Sequence, residues 1–249
     1  IYMRWICRFT TIPRLCHSYS SKIEFKNSSG IILYMTMNYK VRFYSNTPDD
    51  THCWQASLRM VMKYFKPKEE YSWEEMDKIT EKIGELWTWP IAGLLYMADK
   101  GYLVKVIEAF DYKRFIEEGS KYIYQEFGEE VANAQEKHAD IQQGIPLAQK
   151  LISKGLWEKR TPVVNDIIAF LEQGYLVICN VNAAELNNKK GYVGHSVVIK
   201  GYEDNHFLLN DPGLPPQENR IVDFDIFEKA WAYPDEKAKN INAIKLIED

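Results

Sequence analysis

The segment Cys53-Trp54-Gln55-Ala56-Ser57-Leu58-Arg59-Met60-Val61-Met62-Lys63-Tyr64-Phe65 decides how the chain is read. Leu58, Val61, Met62 and Phe65 recur at spacings of three and four, so they share one face of a helix. Asp50 or Thr51 is expected to cap its first turn, and Pro48 stops whatever precedes it. Cys53 then opens the helix, where the positive end of the macrodipole favours a thiolate over a thiol.

A second stretch supplies what such a cysteine needs. Gly194-His195-Ser196-Val197-Val198-Ile199-Lys200 has the apolar content of a buried strand. Gly201 to Asn205 offers turn residues, His206 to Asn210 resumes a strand, and Asp211-Pro212-Gly213 ends it. The pattern is a β-hairpin whose open end brings Asp211 to His195. An imidazole there can exchange a proton with a thiol, and a carboxylate can orient the imidazole and stabilise its charged form. Taken singly, a cysteine at a helix start is usually a small buried residue, and a histidine beside a strand is usually structural. The three residue types in this order, each on a credible local element, point instead to an activated cysteine nucleophile.

These motifs resemble the papain-like cysteine peptidases, and within them the bacteriocin double-glycine leader peptidases and their stand-alone relatives. The resemblance covers roughly residues 39–249 and is carried by the Cys53 helix, the His195 strand and the Leu208-Leu209-Asn210-Asp211-Pro212-Gly213 end. It implies that Cys53 is the nucleophile, His195 the general base and later acid, and Asp211 the orienting carboxylate. One position departs from the family pattern. The family usually places an oxyanion-hole glutamine about six residues before the cysteine, and here Thr47 stands there with Asn46 beside it. Asn46 carries the same amide on a shorter arm and is the candidate donor, and Gln55 is a weaker one. Loss of one such donor typically costs about 2–4 kcal/mol of transition-state stabilisation.

Composition bounds the alternatives. The chain has 249 residues, 46% of them hydrophobic and 14% aromatic, which is enough for one large domain with a sizeable core. No apolar run reaches the roughly 18 residues of a membrane-spanning helix. The net charge of −4 hides an asymmetry: residues 1–48 hold seven basic residues and one acidic, which leaves 24 basic and 34 acidic for the rest. An acidic body argues against nucleic acid as a partner. Of the four cysteines, Cys53 is the candidate nucleophile, Cys179 lies in a strand-like run, and Cys7 and Cys16 fall near the N-terminus. This is no disulfide framework, and a reducing, cytoplasmic setting follows. His52 and Cys53 are adjacent and no other Cys or His pair has zinc-like spacing, so neither metal nor cofactor is expected. His52 is read as flanking the site or facing solvent, and His138 as a solvated helix position.

Residues 1–36 are basic and nearly free of acids, and the expectation is an N-terminal extension that is disordered or foreign to the native chain, the domain proper being 37–249. Met35 or Met37 is the expected natural start. Further on, Trp73–Leu86 is expected as a helix capped by Ser72, Ile91–Lys100 as a second, and Tyr102–Ala109 as a strand. Tyr112–Trp157 reads as two or three amphipathic helices, with mostly solvated charged faces. A helix capped by Thr161 with Pro162 at its first position and ending at Gly174 follows. After it come a strand from Tyr175 to Asn182, an Asn187–Gly191 turn, the His195 hairpin, a helix over Asp223–Ala232 and a closing edge strand over Ile241–Ile247.

The fold class is therefore α+β: a papain-like two-part arrangement, with a helical half carrying Cys53 and an antiparallel β half carrying His195 and Asp211. The function that follows is attack on a peptide or amide carbonyl. An inactive peptide-binding module, or an acyl transferase using the same thioester as in the related phytochelatin synthases, stands as the alternative. Trp87, Trp89 and Trp231 are read as core more readily than as a subsite. The sequence assigns neither substrate preference nor oligomeric state.

Overall fold

The computed structural model describes residues 36–247. The expectations for residues 1–35, including Cys7, Cys16 and Met35, lie outside them. A short β1 (Met37–Asn38) leads through an irregular run to α1 (Cys53–Phe65), α2 (Trp73–Thr80) and α3 (Pro90–Asp99). Then come β2 (Tyr102–Glu108), α4 (Tyr112–Glu118), α5 (Ser120–His138), α6 (Ile141–Ser153) and β3 (Trp157–Lys159). The remainder is α7 (Val164–Glu172), β4 (Leu176–Asn182), α8 (Ala183–Leu186), β5 (Gly194–Glu203), β6 (His206–Asp211), β7 (Gln217–Asp223), α9 (Phe224–Trp231) and β8 (Asn240–Leu246). The fold is α+β, as the motif order implied.

One sheet runs β3-β2-β8-β4-β5-β6-β7, with β1 added beside β5. Every pairing is antiparallel except β2 with β3. The β1 contact depends on a glycine. A Cβ at Gly201 would stand 2.0 Å from the Met37 carbonyl oxygen, so only a residue without one lets the two backbones meet.

The helix α1 lies against β5, where the Ser57 hydroxyl donates to the Ser196 carbonyl at 3.2 Å. The face expected from spacing is there, Leu58, Val61 and Met62 being buried and Phe65 half-buried, but Trp54 and Met60 are buried as well. A helix enclosed on several sides is what a run with so few charges requires. Each such large apolar side chain withdrawn from water contributes on the order of 1.5–3 kcal/mol.

Several boundaries differ from expectation, for local reasons. Ser72 caps α2 in a reciprocal box with Glu75, but the helix stops at Thr80 instead of Leu86 because Glu81 turns left-handed at φ 51°. Neither Asp50 nor Thr51 caps α1; the N-cap is His52, with no side-chain cap bond. Thr161 and Pro162 precede α7 without capping it, since Val163 is the N-cap and the Asp166 carboxylate accepts from its N–H at 2.8 Å. The Tyr112–Trp157 region does form three helices, α5 kinking at Gly128. The largest correction concerns β8. It is an interior strand between β2 and β4, buried on both faces over most of its length, and not an edge. Its alternating apolar residues were compatible with either position.

Candidate active site

The helix start and the hairpin meet where expected. His195 Nε2 donates to Asp211 Oδ1 at 2.7 Å, and both residues are buried. The strand register explains the contact. Val198 faces Asn210 and Ile199 faces Leu209, so the same register carried outward sets Asp211 opposite Val197, on the face His195 also uses. Because Nε2 is taken by the carboxylate, Nδ1 is the ring nitrogen left for Cys53. Cys53, His195 and Ser196 line the same cavity, and the ring and the Ser196 N–H both act on the thiol in the sense that favours its ionised form.

The electrostatics of the three groups interlock. Burial would raise the Cys53 pKa, but the His195 hydrogen bond and charge, with the Ser196 N–H, outweigh it and hold the thiol below its usual range. Burial would lower His195, yet its bonds to Asp211 and Cys53 push it up to about 10. Burial would raise Asp211, and His195, the Gly213 N–H and Arg220 bring it down to about 2. The three shifts run in one sense: each favours the charged form, thiolate, imidazolium and carboxylate, over the neutral one. The start of α1 adds its dipole to the same end, and the nearby Asp50 carboxylate opposes it.

Two supporting residues escaped the sequence reading. Arg220 on β7 donates through Nη1 to Asp211 Oδ2 at 2.7 Å and through Nη2 to the Leu186 carbonyl at 2.7 Å. Gly213 gives its N–H to Asp211 Oδ1 at 2.9 Å, and a Cβ there would come within 3.1 Å of His195 Nε2. The Asp211-Pro212-Gly213 turn carried a signal for Gly213. Arg220 had none, since only strand pairing brings β7 beside β6.

Asn46 is placed differently from its expected role. Its amide nitrogen donates to Asp50 Oδ1 at 2.7 Å, while its oxygen accepts from the N–H groups of His52 and Thr47 at 2.7 and 2.9 Å. Its own N–H donates to the Pro212 carbonyl at 2.8 Å. Asn46 thus clamps the loop before α1 to the turn after Asp211 and does not line the Cys53 cavity. Gln55 does not line that cavity either; its amide donates to Thr80 and to Thr88 of the cavity wall. His52 flanks the site as read, packed edge-on to Trp73 with its Nε2 3.1 Å from Asp77. His138 is not simply solvated: it stacks on Trp87, ring centroids 4.8 Å apart.

Cys53 and His195 open onto a cavity of about 140 Å³ walled by Trp87, Thr88, Trp89 and Tyr192. Trp87 and Trp89 therefore border the cleft rather than serving only the core. Trp231 is buried and donates to the Asn240 carbonyl at 2.8 Å. Among the described residues no group of three or more His, Cys, Asp or Glu is arranged to hold a metal ion. No described helix is long and apolar enough to cross a membrane.

An α+β fold that seats a helix-start thiol against a strand-borne imidazole and carboxylate defines the class of cleft proteins to which papain-like peptidases belong. The sequence profile of the Peptidase_C39 like family matches residues 36–238, and the chain belongs to that family. Among solved structures, the chain is similar to a Bacillus anthracis protein described as a C39-like peptidase. Identity is 16% and the TM-score 0.42, over 84% of this chain and 96% of that one. No curated protein matches by sequence.

Proposed function

We propose that the protein is a cysteine peptidase or related amidase in which Cys53 attacks a peptide or amide carbonyl. The observation that carries this reading is that Cys53 and His195 share the wall of one open cavity, with His195 hydrogen-bonded behind to Asp211. With His195 already holding the proton, the thiolate forms the C–S bond and His195 passes that proton to the leaving amine as the C–N bond breaks. A water then gives a proton back to His195 and displaces the thiolate from the thioester. Asp211 holds the ring and balances its charge throughout. The first turn of α1 leaves the Cys53 N–H without a helical acceptor, so it is the donor for the carbonyl oxygen in this reading. Asn46 acts at one remove, bracing the loop that delivers that N–H. Cys53 and Cys179 are both free thiols, which supports a reducing, cytoplasmic setting.

One observation favours a second reading, a cleft that holds peptides without cleaving them: the Asn46 amide is engaged by Asp50 instead of lying in the cleft. The rate of Cys53 alkylation by iodoacetamide against pH, located by peptide mass mapping, separates the two. Reaction below pH 7 that is lost in His195→Ala supports the peptidase. A thiol titrating near its ordinary ~8.5 in both proteins rejects it. Peptide products analysed with and without excess acceptor amine then distinguish hydrolysis from acyl transfer.

A further inference from the structure

A second cavity, of about 160 Å³, adjoins the first, and the two share Trp89, Gln135, Asn180, Tyr192 and Gly194 as lining. Either one far exceeds the roughly 10–15 Å³ that a single water needs. Glu108, the last residue of β2, lines this second cavity. One of its carboxylate oxygens accepts from the Tyr112 hydroxyl at 2.7 Å. The other has no hydrogen-bond partner among the described residues, and no salt bridge reaches Glu108. The other walls are aromatic, with Phe110, Phe127, Trp231 and Tyr233 beside Trp89 and Tyr192.

We propose that this cavity is a subsite of the cleft for a substrate side chain ending in an ammonium or guanidinium group, which pairs with the open oxygen of Glu108. The assignment rests on the peptidase reading for its link to Cys53, but its chemistry comes from the cavity itself. Glu108 is half-buried and its second oxygen is left open beside the cavity it lines, so a cation that enters the cavity can pair with it in a partly desolvated setting. Aromatic faces attract the same kind of charge and repel the opposite one. The competing cation is already spoken for, because Lys237, which also lines the cavity, pairs with Glu126. Tyr233 is likewise turned outward, its hydroxyl donating to Glu130 at 2.6 Å. Burial, only partly offset by the Tyr112 hydrogen bond, holds the Glu108 carboxyl up to about 7, so an incoming cation would ionise it fully. Neither Glu108 nor its cavity was singled out in the sequence.

Two measurements test the subsite. In the Cys53→Ala protein, saturation-transfer NMR compares n-pentylammonium with n-pentanol. The ammonium is expected to bind at least tenfold more tightly, and Glu108→Gln to abolish the difference. In the unsubstituted protein, Cys53 alkylation is compared for an iodoacetamide bearing an ω-aminopentyl tail and one bearing a neutral pentyl tail. Each rate is taken relative to plain iodoacetamide on the same protein. A tenfold preference for the aminopentyl probe that falls to parity in Glu108→Gln is expected. Equal binding or equal relative rates without any substitution at Glu108 would overturn the subsite, as would a preference that persists in Glu108→Gln. Should Cys53 prove inert to plain iodoacetamide, the peptidase reading fails instead, and the NMR comparison still decides what the cavity binds.

Discussion

Asp211 Oδ1 accepts from His195 Nε2 at 2.7 Å, and that one contact determines which ring nitrogen is left for Cys53. A carboxamide at 211 offers a donor edge as readily as an acceptor and carries no charge to offset the imidazolium. Asp211→Asn is therefore expected to cut turnover by two to four orders of magnitude, the range that a correctly held acid–base group supplies. Steady-state kinetics on any peptide found to be cleaved will show it as a loss in kcat with little change in KM.

Alkylation of Cys53 is expected to follow a profile with two limits. Below the depressed thiol pKa the rate falls as the thiolate is protonated, and near pH 10 it changes again as His195 gives up its proton. His195→Ala should remove the upper limit and move the lower one toward the ordinary ~8.5. Stopped-flow alkylation across pH 5–11 reads both.

The acid limb of stability should carry the Asp211 signature. Its carboxyl sits at about 2 in the folded protein against 3.8 when unperturbed. A lowered folded-state value stabilises the protein above pH 3.8, and the contribution is lost as pH falls through 2. Compared with Asp211→Asn, the melting temperature of the unsubstituted protein should therefore fall more steeply between pH 4 and 2. His195 has the opposite sign. Its raised value contributes fully below about 6.5 and is lost as pH rises through 10.

Arg220 is a positioning residue, and its removal leaves Asp211 Oδ2 buried without its cation. Breaking one side of such a pair typically costs about 3–5 kcal/mol. Arg220→Met is expected to destabilise the fold by that order in denaturant titration and to raise the Asp211 pKa. The acid limb of stability would then shift upward, a change that a purely packing role for Arg220 would not produce.

Gly213→Ala introduces a methyl 3.1 Å from His195 Nε2, inside normal contact range. The ring must yield, so Cys53 alkylation near neutral pH should slow at least tenfold while the melting temperature changes by only a few degrees. Gly201→Ala, which collides with backbone, is expected to do the reverse: loss of stability with Cys53 reactivity retained in whatever remains folded.

What the sequence disclosed and what it withheld follow from range. Cys53, His195 and Asp211 were legible because each sits at the boundary of a local element, and a hairpin brings two of them together across a separation of 16 positions without reference to the rest of the chain. Asn46 was read by its chemistry alone; that its amide turns to Asp50 depends on a loop geometry no periodicity reports. Arg220, Glu108 and the interior position of β8 all depend on strand order, which two-residue alternation leaves open. A strand such as Asn240–Leu246 looks the same in sequence whether one neighbour flanks it or two.

The interior position of β8 also sets when the sheet can be completed. Without residues 240–246, β2 and β3 share no hydrogen bonds with the β4–β7 ladder that carries His195 and Asp211. On the ribosome the sheet therefore waits as two fragments until nearly the whole described chain has emerged. Closure then makes contacts across 142 residues of sequence, from Leu103 to Lys245. Such long-range closure is slow. The elements that carry Cys53, His195 and Asp211 all lie on the β4–β7 side, so β8 joins the β2–β3 wall to a part of the fold in which those three residues already share neighbours.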